Sequence, residues 1–182
     1  MIGKTPKLIR AASWETTIEL IRLVPQYATL AGIHLTSLPV SLIESTARFV
    51  RATRLNFAST ILKEMLNSHI EPFRPVIVTC SQGKRIVVPP IVEEHAGRFF
   101  LLDGTHRIWT ARQFRLTSVR VIHISGLDLP LPSKPFPWED MKIREEHYTT
   151  EENLIDFDRS LFRPTTTTFN GPQTLVLDEE GN

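Results

Sequence analysis

The chain holds a single cysteine, Cys80, among its 182 residues. One thiol closes no internal disulfide, so the fold has no covalent staple and nothing points to an oxidising compartment. There is also no apolar run of the ~18 residues that a membrane-spanning helix needs. Lys4, Lys7 and Arg10 are followed by no long apolar stretch, which argues against a secretory leader. The expected setting is therefore soluble and cytoplasmic, with no membrane partner. The six histidines show no His-x-x-x-His spacing, so no structural metal site is expected. No internal repeat is present.

What is present is a chain with enough apolar content for a sizeable core, 41% by residue. Its length suits one domain with an appended segment. The net charge of +1 conceals an asymmetry: residues 1–138 carry 17 Lys/Arg against 9 Asp/Glu, and residues 139–182 carry 4 against 11. A basic body suits a polyanionic ligand. An acidic tail could fold onto that body through anchors such as Trp138, Leu154, Phe157 and Phe162, or it could be ordinary solvated surface.

Pattern and punctuation divide the chain into three stretches. Residues 1–32 form an N-terminal helical segment, with Ser13 as N-cap and Pro25 as the break. Residues 33–126 form the core. It starts with a short alternating strand at 33–38, and the capping-box string Ser41-Leu42-Ile43-Glu44 predicts a helix near Ser41. A further helix is expected over 55–68. From Pro75 the texture is β: Val76-Ile77-Val78 and Ile86-Val87-Val88 flank turn residues and read as a hairpin. Strands follow at Ile91-Val92, at 99–102 and at 119–124, with a helix over 105–114 between the last two. Residues 127–182 form a proline-rich, acidic extension, partly disordered, with four prolines between Leu129 and Trp138.

One string carries chemistry: Asp103-Gly104-Thr105-His106-Arg107, between a strand and a helix. Gly104 lets the backbone turn tightly and approach a ligand. The first turn of the helix beyond it leaves N–H groups without intrahelical partners, at the positive end of the helix dipole. Thr105 adds a hydroxyl, His106 a ring donor and Arg107 a guanidinium fork matched to phosphate oxygens. The plainer alternative is that Asp103 or Thr105 caps the helix and Arg107 pairs with a carboxylate.

The stretch Phe99 to Arg112, with Leu116 and Val119-Arg120-Val121-Ile122, resembles the second motif block of the ParB/sulfiredoxin-like superfamily. In that block a strand ends in a Gly-x-(Arg/His)-Arg turn, and a helix and a closing strand follow. Pro90-Ile91-Val92 is similar to the preceding strand. The resemblance extends over about 33–125 and is specific over 86–125. It implies an α+β domain with a small mixed sheet flanked by helices. It also implies a bound nucleoside triphosphate, ATP or CTP, with Mg²⁺. Gly104, Thr105, His106 and Arg107 would hold phosphates, and Asp103 would orient the metal or act as base.

Members of the superfamily differ in activity, and departures here narrow the choice. Sulfiredoxins carry a cysteine directly before the His-Arg pair; this chain has Thr105 there, which removes the nucleophile for peroxiredoxin repair. Partition proteins need DNA-reading and dimerisation domains that the residues after Gly126 do not supply. The Asp-Gly-x-His-Arg wording is closest to free serine kinases and small stand-alone members. By the same likeness Glu44 is a candidate proton acceptor upstream of the core. The expectation is an NTP-dependent hydrolase or small-molecule kinase with Asp103, His106 and Glu44 as catalytic candidates. A non-catalytic nucleotide- or DNA-binding regulatory module is the alternative, and ParB-like nuclease activity a further one. Arg48, Arg51 and Arg54, three residues apart, would line one face of a helix, as a solvated stripe or as phosphate contacts.

Overall fold

The computed structural model describes residues 7–80 and 83–165. The expectations for Ser81 and Gln82 and for the threonine-rich stretch and terminus beyond Thr165 lie outside them. The protein is α+β. Its centre is a five-stranded mixed sheet built from β2 (Ile33–Pro39), β3 (Ile43–Ser45), β7 (Ile91–His95), β8 (Arg98–Asp103) and β9 (Ser118–Ile124), in the order β2-β9-β7-β8-β3. The β7–β8 and β2–β9 pairs are antiparallel, and β9–β7 and β8–β3 are parallel. A second sheet, β1-β5-β6, holds β1 (Lys7–Ala11) and the hairpin of β5 (Val76–Cys80) and β6 (Gly83–Val87).

Both faces of the central sheet are covered, in keeping with the apolar run Phe99–Leu102 in β8, while β2 at the sheet's edge alternates between buried and more exposed positions. On one face Val92, Leu101, Val119 and Val121 pack with Ile61, Leu62 and Met65 of α2 (Ala52–Asn67) and with Ile108 and Ala111 of α3 (Thr105–Gln113). On the other, Ile33, Ile91, Ile122 and Ile124 pack with Leu20 and Ile21 of α1 (Trp14–Arg22) and with Val24 and Tyr27. The N-terminal segment thus builds the second core. Its helix begins where the sequence indicates, with Ser13 Oγ accepting from the Thr16 amide, and stops before Pro25.

Two local readings need correction. No helix starts at Ser41: Val40–Leu42 is a single 3₁₀ turn and β3 follows. The parallel register with β8, in which Ile43 lies opposite Phe99 and Glu44 opposite Phe100, overrides the capping-box pattern. As a result Arg48, Arg51 and Arg54 do not share a helix. Arg48 precedes β4 (Phe49–Arg51), Arg51 ends it, and Arg54 lies in α2. The strand β1 had no sequence signal of its own; it pairs with β5.

The segment after Gly126, through Thr165, is strapped across the body. Phe136 N–H donates to Ser45 O at 2.7 Å, and the Trp138 indole N–H donates to Ile43 O at 2.7 Å. β10 (Lys142–Arg144) lies parallel to β4, and α4 is the single turn Thr150–Asn153. Asn153 Oδ1 then accepts from the Arg48 and Phe49 amides at 3.1 and 2.8 Å. The far end is fixed by Arg163. Its side chain is 1% exposed and pairs with the fully buried Glu93 through Nε–Oε1 (2.8 Å) and Nη2–Oε2 (3.1 Å). Its other donors meet the carbonyls of Leu161 and Pro130. Tyr27 donates its hydroxyl to Glu93 Oε1 at 2.7 Å, and His95 Nε2 lies 2.8 Å from Oε2. Burial, then the Glu93 charge, pushes the Tyr27 phenol well above its ordinary range.

A buried charge left without its partner is far costlier than the pair is worth. Arg163→Ala should therefore cost about 3–5 kcal/mol in urea unfolding, because the buried Glu93 carboxylate loses its cationic partner. Glu93→Leu combined with Arg163→Met and Tyr27→Phe, so that no buried hydroxyl loses its acceptor, should recover most of that loss. Equal stability of Arg163→Ala and wild type would show that the pair is solvated and the strap loose.

Candidate functional site

The Asp103–Arg107 string sits where the sequence puts it, at the exit of β8 and the start of α3. Gly104 is the N-cap, with φ +97° and ψ +20°, a left-handed conformation that costs other residues strain. A Cβ added there would lie 2.8 Å from Pro90 Cβ and 2.9 Å from both Pro90 Cα and Arg107 Nη2. Glycine is therefore required twice, by torsion and by space. No side chain caps the helix, so neither Asp103 nor Thr105 has the plain capping role. The carbonyl of Gly104 accepts from the amides of Arg107 (2.9 Å) and Ile108 (3.0 Å), which leaves the amides of Thr105 and His106 ahead of the first hydrogen-bonded turn.

Arg107 combines both readings of its role. Nη2 donates to Asp103 Oδ2 at 2.9 Å, an i,i+4 ion pair with both side chains about a quarter exposed. Its Nε is buried and has no hydrogen-bond partner. Arg51 Nε is in the same condition. Buried guanidinium donors are rarely left unpaired, so each of these two is open to an acceptor, a water or a ligand atom.

His106 joins the two. Its Nε2 accepts from the Arg51 amide at 2.9 Å, which places the ring proton on Nδ1. Burial, then the Arg54 and Arg107 guanidiniums, hold the imidazole down to about 4 against a smaller opposing pull from Asp103. The ring is neutral at physiological pH, and its Nε2 is occupied as an acceptor. Beyond Arg51 lies Tyr148, with the Arg51 guanidinium 5.6 Å from its ring centroid. The Tyr148 hydroxyl donates to Phe49 O at 3.1 Å. Arg54 and Arg144 also act on Tyr148, whose phenol burial raises.

The structure does not bring every candidate to this place. Glu44 stands on β3 in a bidentate ion pair with Arg98, at 2.8 and 2.6 Å, and its register partner is Phe100. It is engaged away from the Asp103–Arg107 turn. Arg51 and Arg54, read from sequence as a stripe, do converge on His106, though from a strand end and a helix. Tyr148 and Arg144 had no sequence signal; they lie in a stretch that reads as an appendage.

The donor set does not make a resident magnesium site. The carboxylate at the turn, Asp103, is held by Arg107, and its neighbours are guanidiniums. Among the described residues no group of three or more His, Cys, Asp or Glu side chains is placed to hold a metal. Magnesium would have to arrive on a ligand's own phosphates.

Set against protein-family models, curated proteins and solved structures, the chain matches none. What the site does must be argued from its geometry, with the likeness of residues 86–125 beside it. The geometry offers several donors around a glycine turn, one ion-paired carboxylate and a neutral histidine, a set suited to phosphate oxygens.

Two outcomes follow. Gly104→Ala should lose about 1–3 kcal/mol of stability in chemical denaturation, from left-handed strain and the contact with Pro90. The second concerns acid. Unfolded, the His106 ring titrates near 6.5 and folded near 4, so between those values only the unfolded chain takes the proton. Stability should fall as pH drops from about 6.5 to about 4 and level off below, by on the order of 2–3 kcal/mol. In His106→Gln that part of the slope should be missing. Parallel pH profiles for the two proteins would refute the depressed ring.

Proposed function

We propose that the protein binds a nucleoside triphosphate, with its phosphates at the opening of α3. The observation that carries this reading is the pair of buried, unpartnered Nε groups of Arg51 and Arg107, the two arginines whose charges both act on His106. Thr105 and His106 amides face the same opening by their place in the helix, and Arg54 adds positive charge. The resemblance to ParB/sulfiredoxin-like proteins supports the nucleotide, ATP or CTP, over other polyphosphates.

The chemistry at the bound phosphates is that of a holder. Arg107 and Arg51 take phosphate oxygens, His106 donates through Nδ1–H, and Gly104 lets the chain approach closely. The three catalytic candidates are each engaged: Asp103 with Arg107, His106 Nε2 with the Arg51 amide, and Glu44 with Arg98. This favours a binding module over a kinase or hydrolase in the unliganded protein. Turnover is the second reading, and the Asp103–Arg107 ion pair supports it. Phosphate drawing Arg107 away would free Asp103, the carboxylate at the turn, to accept a proton from an attacking hydroxyl or water.

Titration with ATP and CTP, with and without Mg²⁺, followed by phosphate-release measurement, tests both. A bound nucleotide should raise the melting temperature. Arg107→Ala should weaken binding by roughly 1.5–3 kcal/mol, the scale of a charge-assisted hydrogen bond. No shift with any ribonucleotide at millimolar concentration would refute the proposal. Phosphate release abolished by Asp103→Asn would establish the catalytic reading.

A further inference from the structure

The structure assigns the second wall of the anion site to the C-terminal strap: we infer that Arg144 and Tyr148 bind the ligand together with Arg51 and that residues 142–153 clamp over a polyphosphate chain. The inference rests on the phosphate reading of the α3 turn and names what completes it.

The carrying observation is a like-charge pair. β10 runs parallel to β4, and the register sets Arg144 opposite Arg51, with Lys142 opposite Phe49. Residues in register on neighbouring strands share a face of the sheet, and like charges placed so repel. An anion between them turns that repulsion into two attractions. The unliganded protein spreads the two guanidiniums over aromatic faces. Arg144 lies 3.8 Å from the Phe49 ring centroid and Arg51 lies 5.6 Å from that of Tyr148. Glu152 also acts on Arg144, and its carboxylate is hydrogen-bonded to the Thr149 amide at 2.7 Å. The aromatic rings of Phe49 and Tyr148 meet at 5.7 Å, so β4 and the strap form one aromatic and basic floor.

That floor adjoins the α3 turn. The amide of Arg51 is bonded to His106 and its side chain reaches Tyr148, so one residue spans the turn and the strap. A ligand with phosphates in series could contact Arg107 at one end and Arg144 at the other. A monophosphate would meet only one wall.

The strap is anchored at both ends and held more lightly between them. Its ends are fixed by buried side chains, Trp138 on Ile43 O and Arg163 on Glu93. Between them residues 142–147 are exposed. This middle is tied to the body by the three-residue β10–β4 ladder, by the Asn153 side chain and carbonyl on the Arg48 and Phe49 amides, by Arg48 Nη1 on Glu152 O, and by the Tyr148 hydroxyl on Phe49 O. Short ladders on exposed backbone open at low free energy.

The test uses the full chain and inorganic tripolyphosphate. Hydrogen exchange in residues 142–153 should slow when the probe is added, while exchange around Trp138 and Arg163 stays slow throughout. Arg144→Ala should lower tripolyphosphate affinity by roughly tenfold or more, with the unliganded melting temperature close to wild type; Arg144→Lys should restore part of the affinity. Asn153→Ala should speed exchange over 142–153 without ligand and weaken binding. If the wild type binds tripolyphosphate but Arg144→Ala binds it equally well, or exchange over 142–153 does not respond, the strap is no part of the site and the phosphate reading of the α3 turn stands alone. If the wild type binds neither tripolyphosphate nor any nucleotide, the phosphate reading falls and this inference falls with it.

Discussion

A glutamate with no access to water is viable only if its charge is met on every side. Glu93 in β7 is such a group, and what meets it comes from both ends of the chain. Tyr27 approaches from the turn after α1, His95 from its own strand, and Arg163 from the end of the strap. The penalty for separating a buried pair is several kcal/mol. Any arrangement in which residues 127–165 lie elsewhere must therefore leave the buried Glu93 charge without its cation. The net gain from such a pair over apolar packing is small. Its consequence here is registry. It decides where the strap ends, and with Trp138 holding the other end it decides what the strap lies across.

That placement governs the candidate site. β10 can pair with β4 only because Trp138 fixes the chain at Ile43 four residues earlier. The ladder brings Arg144 beside Arg51 and sets Tyr148 under the Arg51 guanidinium. Arg51 in turn depends on β4 to aim its amide at His106. The cationic floor of Arg51, Arg144 and Tyr148 is thus an effect of one chain of contacts, and it does not arise from the Asp103–Arg107 string alone.

The central sheet explains why the turn itself is so well defined. The β7–β8 hairpin closes through Ala96 and Gly97, both with positive φ (51° and 75°), the conformation that a tight two-residue connection requires. β8 then delivers Asp103 at the edge of the packed layer. α3 starts at once because Gly104 can reverse the chain within reach of Pro90. Ile108 and Ala111 bury in the core beside the sheet and hold the helix, while Thr105, His106 and Arg107 of its first turn stay partly exposed.

By itself the sequence determined the features that depend on neighbours in the chain. The α1 cap at Ser13, the α2 and α3 helices, the hairpin, the β7 and β8 strands and the Gly104 turn follow from periodicity, turn residues and glycine torsion, which act over a few residues. The tertiary structure decided whatever depends on partners distant in sequence. Ser41-Leu42-Ile43-Glu44 is a plausible helix start whose competing strand pairing, with Phe99 and Phe100, lies 56 residues away in register. Glu44 reads as a free carboxylate until Arg98 is placed beside it. The prolines and acidic residues after Gly126 read either as a solvated extension or as a tail folded onto the body through anchors such as Trp138, and no local pattern chooses between them or records that Arg163 will find Glu93 seventy positions upstream. Charge and hydrogen-bond partners are chosen by distance in space, and the one-dimensional pattern carries that distance only where the chain folds back on itself at once.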